Sequence, residues 1–114
     1  MKRGTVQYRR GFHIIVQNSH SQAASMVIDA GQSEGGPDNR HKGADQWLYV
    51  ESGAGEAIIN GHTYEIEGGA LLLIEQGDTH EIRNTGSGPM KTFNIYVPPA
   101  YNAKGNELPP GRPD

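Results

Sequence analysis

Two short runs, Glu56 to Ile59 and His62 to Ile66, are separated only by Asn60-Gly61. A two-residue step of this composition supplies the positive backbone torsions that a tight antiparallel hairpin needs. The rest of the chain is punctuated in the same way. Phe12 to Gln17 is apolar and β-branched, and the turn cluster Asn18-Ser19-His20-Ser21 closes it. Ala23 to Asp29 forms a second run, closed by Gly31. Gln46 to Glu51 alternates and is rich in aromatic and β-branched residues, and Gly53-Ala54-Gly55 breaks it. After Gly68-Gly69 come Ala70 to Ile74, His80 to Thr85 and Lys91 to Val97, and Pro98-Pro99 stops the last run because proline cannot donate to a ladder. The polar stretch Gln32 to Asp45 reads as a long loop of the kind that carries function. That makes about eight strands, with no segment of helical period. The expected fold class is all-β.

Composition agrees. Only 34% of the residues are hydrophobic while 16 are glycine, which suits a turn-rich β domain better than a helical bundle. One domain is expected over residues 1–114: a barrel of about 12–97, an N-terminal strand or arm over 1–11 and a Pro/Gly-rich tail over 98–114. That tail is expected to be a surface strap or disordered. The net charge of −3 provides no basic patch for nucleic acid and no polybasic arm for a membrane surface. With no cysteine, any metal must rest on nitrogen and oxygen ligands. The N-terminus lacks an apolar h-region, and no apolar run approaches a membrane span, so a soluble cytoplasmic protein is the expectation.

Alternation sorts the candidate residues. If His80 faces inward, so do Ile82 and Asn84, while Glu81 and Arg83 face outward. The apolar Ile82 then shares the face of His80, and the charges share the other. If Gln46 faces inward, so do Leu48 and Val50, with Trp47 and Tyr49 on the opposite face.

The stretch Gly69-x5-Glu75-x-Gly77-x2-His80-x3-Asn84 resembles the second motif of the cupin family, with Glu75 in place of its proline. Upstream, Asn39-x-His41-x4-Gln46-x6-Gly53 resembles the first motif in part. Asn39 stands where that motif has its first histidine, and Gln46 where it has a glutamate. A second alignment starts at Gly35, makes His41 the first histidine and puts Gly43 in the place of the second. The C-terminal run Asn94 to Pro99 also looks like that of a small single-domain cupin. The resemblance implies a double-stranded β-helix barrel. It also implies a divalent transition metal (Fe, Mn, Ni or Zn) held by His41, Gln46 and His80, with Asn39 as a further contact. Imidazole nitrogen and amide oxygen are both ligands such a metal accepts. Small cupins commonly pair, which implies a homodimer formed through sheet edges or an exchanged strand such as Val6 to Val16.

Each assignment has a plainer counterpart. His80 could be a hydrogen-bonded core histidine, His41 a solvated loop residue, Gln46 a backbone partner and Asn39 a turn former within Pro37-Asp38-Asn39. His62 is expected at the surface, and His13 and His20 in a strand and a turn. The function implied is a metal-dependent enzyme of oxygenase, isomerase or lyase type acting on a small organic molecule. The alternative is a non-catalytic small-molecule binder with weak or no metal binding. Tyr49, Tyr96 and Glu75 are acid/base candidates that nothing in the sequence ranks, so the catalytic residues stay open.

Overall fold

The structure is a computed structural model describing residues 1–40 and 43–102, with the backbone alone for 37–40. The chain forms strands throughout: β1 Gly11–Gln17, β2 Gln22–Ile28, β3 Ser33–Arg40, β4 Asp45–Ser52, β5 Ala54–Ile59, β6 His62–Glu67, β7 Leu71–Ile74, β8 Thr79–Asn84 and β9 Met90–Val97. They build two antiparallel sheets, one ordered β1-β2-β9-β4-β7 and the other β3-β8-β5-β6. The sheets face each other as a double-stranded β-helix, and the all-β expectation holds. Among the described residues, no helix is long and apolar enough to cross a membrane.

The Asn60-Gly61 step makes the expected hairpin. Both residues have positive φ, 50° and 81°, and Ile59 pairs with His62 directly across the turn. Gly53 is fixed differently. Its φ is 98°, and a Cβ there would lie 2.8 Å from the Met90 Cα and 2.9 Å from the Pro89 carbonyl oxygen. This glycine lets β4 turn into β5 against the start of β9.

Two expectations need correction. The stretch Gln32 to Asp45 is not a loop throughout, because Ser33–Arg40 is strand β3, paired antiparallel to β8. Its glycines and Pro37 have poor strand propensity. Cross-strand pairing overrides this, and β3 is an edge strand, where a proline is tolerated. The tail is the second case. Ala100 is fully buried, and its backbone N–H donates to Gln22 Oε1 at 3.2 Å. Tyr101 packs against Phe12 and Tyr96, with ring centroids 4.6 and 5.2 Å away. This segment plugs one side of the barrel instead of lying over it. Residues 103–114, the rest of the expected strap, fall outside the described residues.

The core lies between the sheets. Met26, Ile28, Leu48, Val50, Ala57, Ile66, Ile74, Ile82 and Met90 form one apolar cluster. A smaller cluster gathers Ala24, Ala44, Tyr96 and Ala100. Each buried side chain of Leu or Ile size contributes about 1.5–3 kcal/mol of burial free energy. The N-terminal segment before β1 lies on the outer face of the larger sheet. There Lys2 Nζ donates to the Gln17 carbonyl at 3.0 Å, and the Lys91 ammonium sits 6.0 Å from the centre of the Tyr8 ring.

Candidate functional site

His80 and Gln46 enter the barrel from facing sheets. On β4, Gln46, Leu48 and Val50 are buried while Trp47 and Tyr49 are 42% and 38% exposed, as alternation requires. On β8, His80, Ile82 and Asn84 are buried and Arg83 is exposed. The next inward residue along each strand, Leu48 or Ile82, belongs to the apolar core. His80 and Gln46 therefore stand one step above the core floor. Glu81 departs from the expected outward solvated position: it is only 9% exposed. Arg83 holds its carboxylate at two points, 3.1 and 3.3 Å, which accounts for a buried charge on that face.

His80 is buried, 6% exposed, between two strands. Its cross-strand partners are Gly36 on β3 and Ile59 on β5. A Cβ built on Gly36 would meet nothing within 4 Å. Two residues earlier, Glu34 pairs with Ile82 and so shares the face of His80. Glu34 itself is exposed, and partial desolvation of its carboxyl raises it above its ordinary value. Sequence reading missed Glu34 because it treated β3 as loop. Its alternation with Gly36 was the only available signal.

Gln46 is 3% exposed, and its Nε2 donates to Asn94 Oδ1 at 3.0 Å. Asn94 is fully buried and donates in turn to Thr92 Oγ1 at 3.1 Å. The second Gln46 atom, Oε1, is buried and has no hydrogen-bond partner among the described residues. Native interiors rarely leave such an oxygen unsatisfied, so it is a strong indicator of a missing donor or cation. Asn94 and Thr92 were not singled out from sequence, where they read as ordinary positions of the last strand.

Asn84, the last residue of the second motif, is a structural clamp. Its Nδ2 donates to the Ile28 and Gly88 carbonyls, both at 2.8 Å, and its Oδ1 accepts from Gly86 N–H at 2.9 Å. Glu75 sits in an exposed turn closed by Asp78, whose carboxylate accepts the Glu75 N–H at 3.0 Å. His62 is exposed, and His13 approaches the Arg10 carbonyl at 2.8 Å. His41 and the side chain of Asn39 lie outside the described residues. Among the described residues, no three of His, Cys, Asp or Glu gather as a metal-holding group. Two of the expected donors, His80 and Gln46, face the same interior.

A family model described as a cupin domain matches residues 24–96. Among curated proteins, the chain is 26% identical over 88 residues to an uncharacterized Bacillus subtilis protein, YrkC. That match takes in 72% of this chain and 46% of the relative, so the chain spans less than half the length of the curated relative it matches. Among crystal structures, a Bacillus halodurans protein superposes with a TM-score of 0.76 at 27% identity, covering 90% of this chain and 78% of that one. A Thermotoga maritima protein described as a predicted oxalate decarboxylase superposes at 0.70 with 22% identity, over 77% and 79% of the two chains. KdgF from a Halomonas species gives the same TM-score, 0.70, at 20% identity over 77% and 79%. The last two likenesses speak for the fold alone.

Proposed function

This chain belongs to the cupin family, and on that footing we propose that its barrel interior is a binding chamber for a small organic molecule, walled by Gln46, His80 and Asn94. The observation that carries the reading is the buried, unsatisfied Gln46 Oε1. It lies one residue along β4 from the apolar floor that begins at Leu48, in the sheet facing the one that carries His80. An apolar floor below a few placed polar groups is the usual make-up of a small-molecule site.

A second reading uses the same chamber. A divalent transition metal (Fe, Mn, Ni or Zn) would rest on the His80 imidazole and Gln46 Oε1, with His41 and Asn39 completing the set. His80 and the orphaned amide oxygen fit two positions of such a shell. When bound, the metal would supply a Lewis acid to a substrate oxygen. With glutamine in place of the glutamate of the family pattern, the shell is less negative and holds the ion more weakly. Glu34, exposed on edge strand β3 in register with Ile82 and with its carboxyl raised, would then be the candidate to move a proton.

Metal analysis of the purified chain, followed by thermal melts with and without added metal and EDTA, separates the two. A metal-free chain whose melting temperature rises with a small organic ligand supports the first reading. Stoichiometric metal that His80→Ala removes supports the second. A chain that neither a metal nor a ligand stabilises sinks both.

A further inference from the structure

A polar relay inside the barrel has a direction that the backbone sets. Thr92 Oγ1 donates to the Met26 carbonyl at 3.3 Å. Asn94 Nδ2 donates to Thr92 Oγ1 at 3.1 Å, and Gln46 Nε2 donates to Asn94 Oδ1 at 3.0 Å. Thr92 and Asn94 are fully buried and Gln46 is 3% exposed, so water does not interrupt the series. A carbonyl oxygen only accepts, so the single Thr92 hydroxyl proton is committed to Met26. Thr92 Oγ1 has lone pairs left for Asn94, which must turn its NH2 toward them. Asn94 then shows its oxygen to Gln46, and Gln46 must answer with its own NH2. What remains at the chamber end is Oε1, an acceptor. Turning over either amide alone would set two oxygens or two NH2 groups against each other in a low-dielectric interior.

From this relay the geometry points to an uncharged, hydroxyl-bearing ligand, a polyol or sugar, with one hydroxyl donating to Gln46 Oε1 and carboxylate groups excluded from that position. The inference rests on the reading of the barrel interior as a small-molecule chamber. The lone pairs of Gln46 Oε1 repel a carboxylate oxygen and welcome an O–H. The apolar residues below, Leu48 and Ile82, suit the carbon face of a polyol. Thr92 touches no ligand in this scheme. It is a positioning residue that holds the amides in their orientation.

The test uses the full chain, ¹⁵N-labelled and treated with EDTA. Glycerol and D-glucose are titrated against their carboxylate counterparts, glycerate and D-glucuronate, with the Gln46 side-chain amide signals as the readout. The alcohols are expected to shift those signals and to bind at least about tenfold more tightly than the acids. Gln46→Leu should abolish the binding. Thr92→Val keeps the shape but removes the hydroxyl, so both amides are free to turn over. The preference should then shrink to within about threefold, and Thr92→Ser should restore it. Acids that bind as well as alcohols, or a folded Thr92→Val variant that keeps the full preference, would overturn the inference while leaving a chamber in place. If neither kind of probe binds and zinc or manganese alone shifts the Gln46 amide, the small-molecule chamber itself is wrong, and the inference falls with it. Silence from all the probes and from both metals rejects the chamber as well.

Discussion

His80 and Asn84 lie on one face of one strand and do opposite work. Asn84 spends both amide protons and its oxygen on backbone groups, tying the end of β2 to the turn between β8 and β9. Removing it leaves the buried Ile28 carbonyl and the partly buried Gly88 carbonyl short of a donor. Asn84→Ala should therefore lower stability by about 2–3 kcal/mol without a direct effect on ligand or metal, as read by urea unfolding. His80 is buried on the inner face of β8, and on the proposed function His80→Ala should keep the fold and lose binding. Its metal occupancy after identical loading should fall further than that of His41→Ala, because β8 is flanked by strands on both sides. Unchanged metal content in His80→Ala would remove it from the shell. Glu34 adds a pH dependence. Its folded carboxyl is raised above the ordinary 4.5, so the folded state holds that proton more tightly than the unfolded state. Its contribution favours folding at low pH and is lost as pH climbs from the unfolded value through the folded one. Glu34→Gln should flatten the fall in melting temperature across that window, and an unchanged pH profile would refute the assignment.

Elements are held where backbone meets backbone. Gly53 closes the short step from β4 to β5, with Met90 and Pro89 against the space a side chain would take. Gly53→Ala forces both a contact under 3 Å and an unfavourable φ. It should cost about 1–3 kcal/mol or more in a denaturant midpoint, and a neutral result would mean that β9 can shift aside. Gly61 has nothing within 4 Å of an added Cβ, so strain at Gly61→Ala comes from torsion alone. The milder loss expected there separates crowding from conformation. β3 is the element that depends most on its neighbour. Its glycine-rich sequence pairs on one side only, yet it sets Gly36 beside His80 and Glu34 beside Ile82.

Over the whole molecule, one surface stands out. On the outer face of the larger sheet, Trp47 lies between Leu73 and Ile95, and Tyr49 between Leu71 and Phe93. Trp47, Tyr49, Leu71 and Leu73 are 42%, 38%, 60% and 43% exposed, a contiguous apolar patch of the kind that marks an interface. The homodimer expected for a small cupin is therefore proposed to form through this face. An exchanged N-terminal strand is the weaker route, because β1 pairs with β2 of its own chain. Leu73→Glu should shift the sedimentation coefficient from dimer to monomer at micromolar concentration while preserving the β spectrum. A wild-type monomer at that concentration would refute the dimer.

The sequence by itself determined the all-β class, the Asn60-Gly61 hairpin and the inward direction of His80 and Gln46. These follow from local rules: a period of two, positive-φ turn residues and proline stops. Tertiary structure decided the rest. β3 became a strand because β8 offered it a ladder, which no propensity at Gly35, Gly36 or Pro37 announces. Ala100 became core, with half-buried Tyr101 packed against it, because Gln22, nearly eighty residues away in sequence, bonds their backbone. Asn94 and Thr92 became a buried relay because a carbonyl on a neighbouring strand fixed the direction of their hydrogen bonds. A hydrogen bond's direction depends on which groups meet across strands, and only the closed barrel brings those groups together.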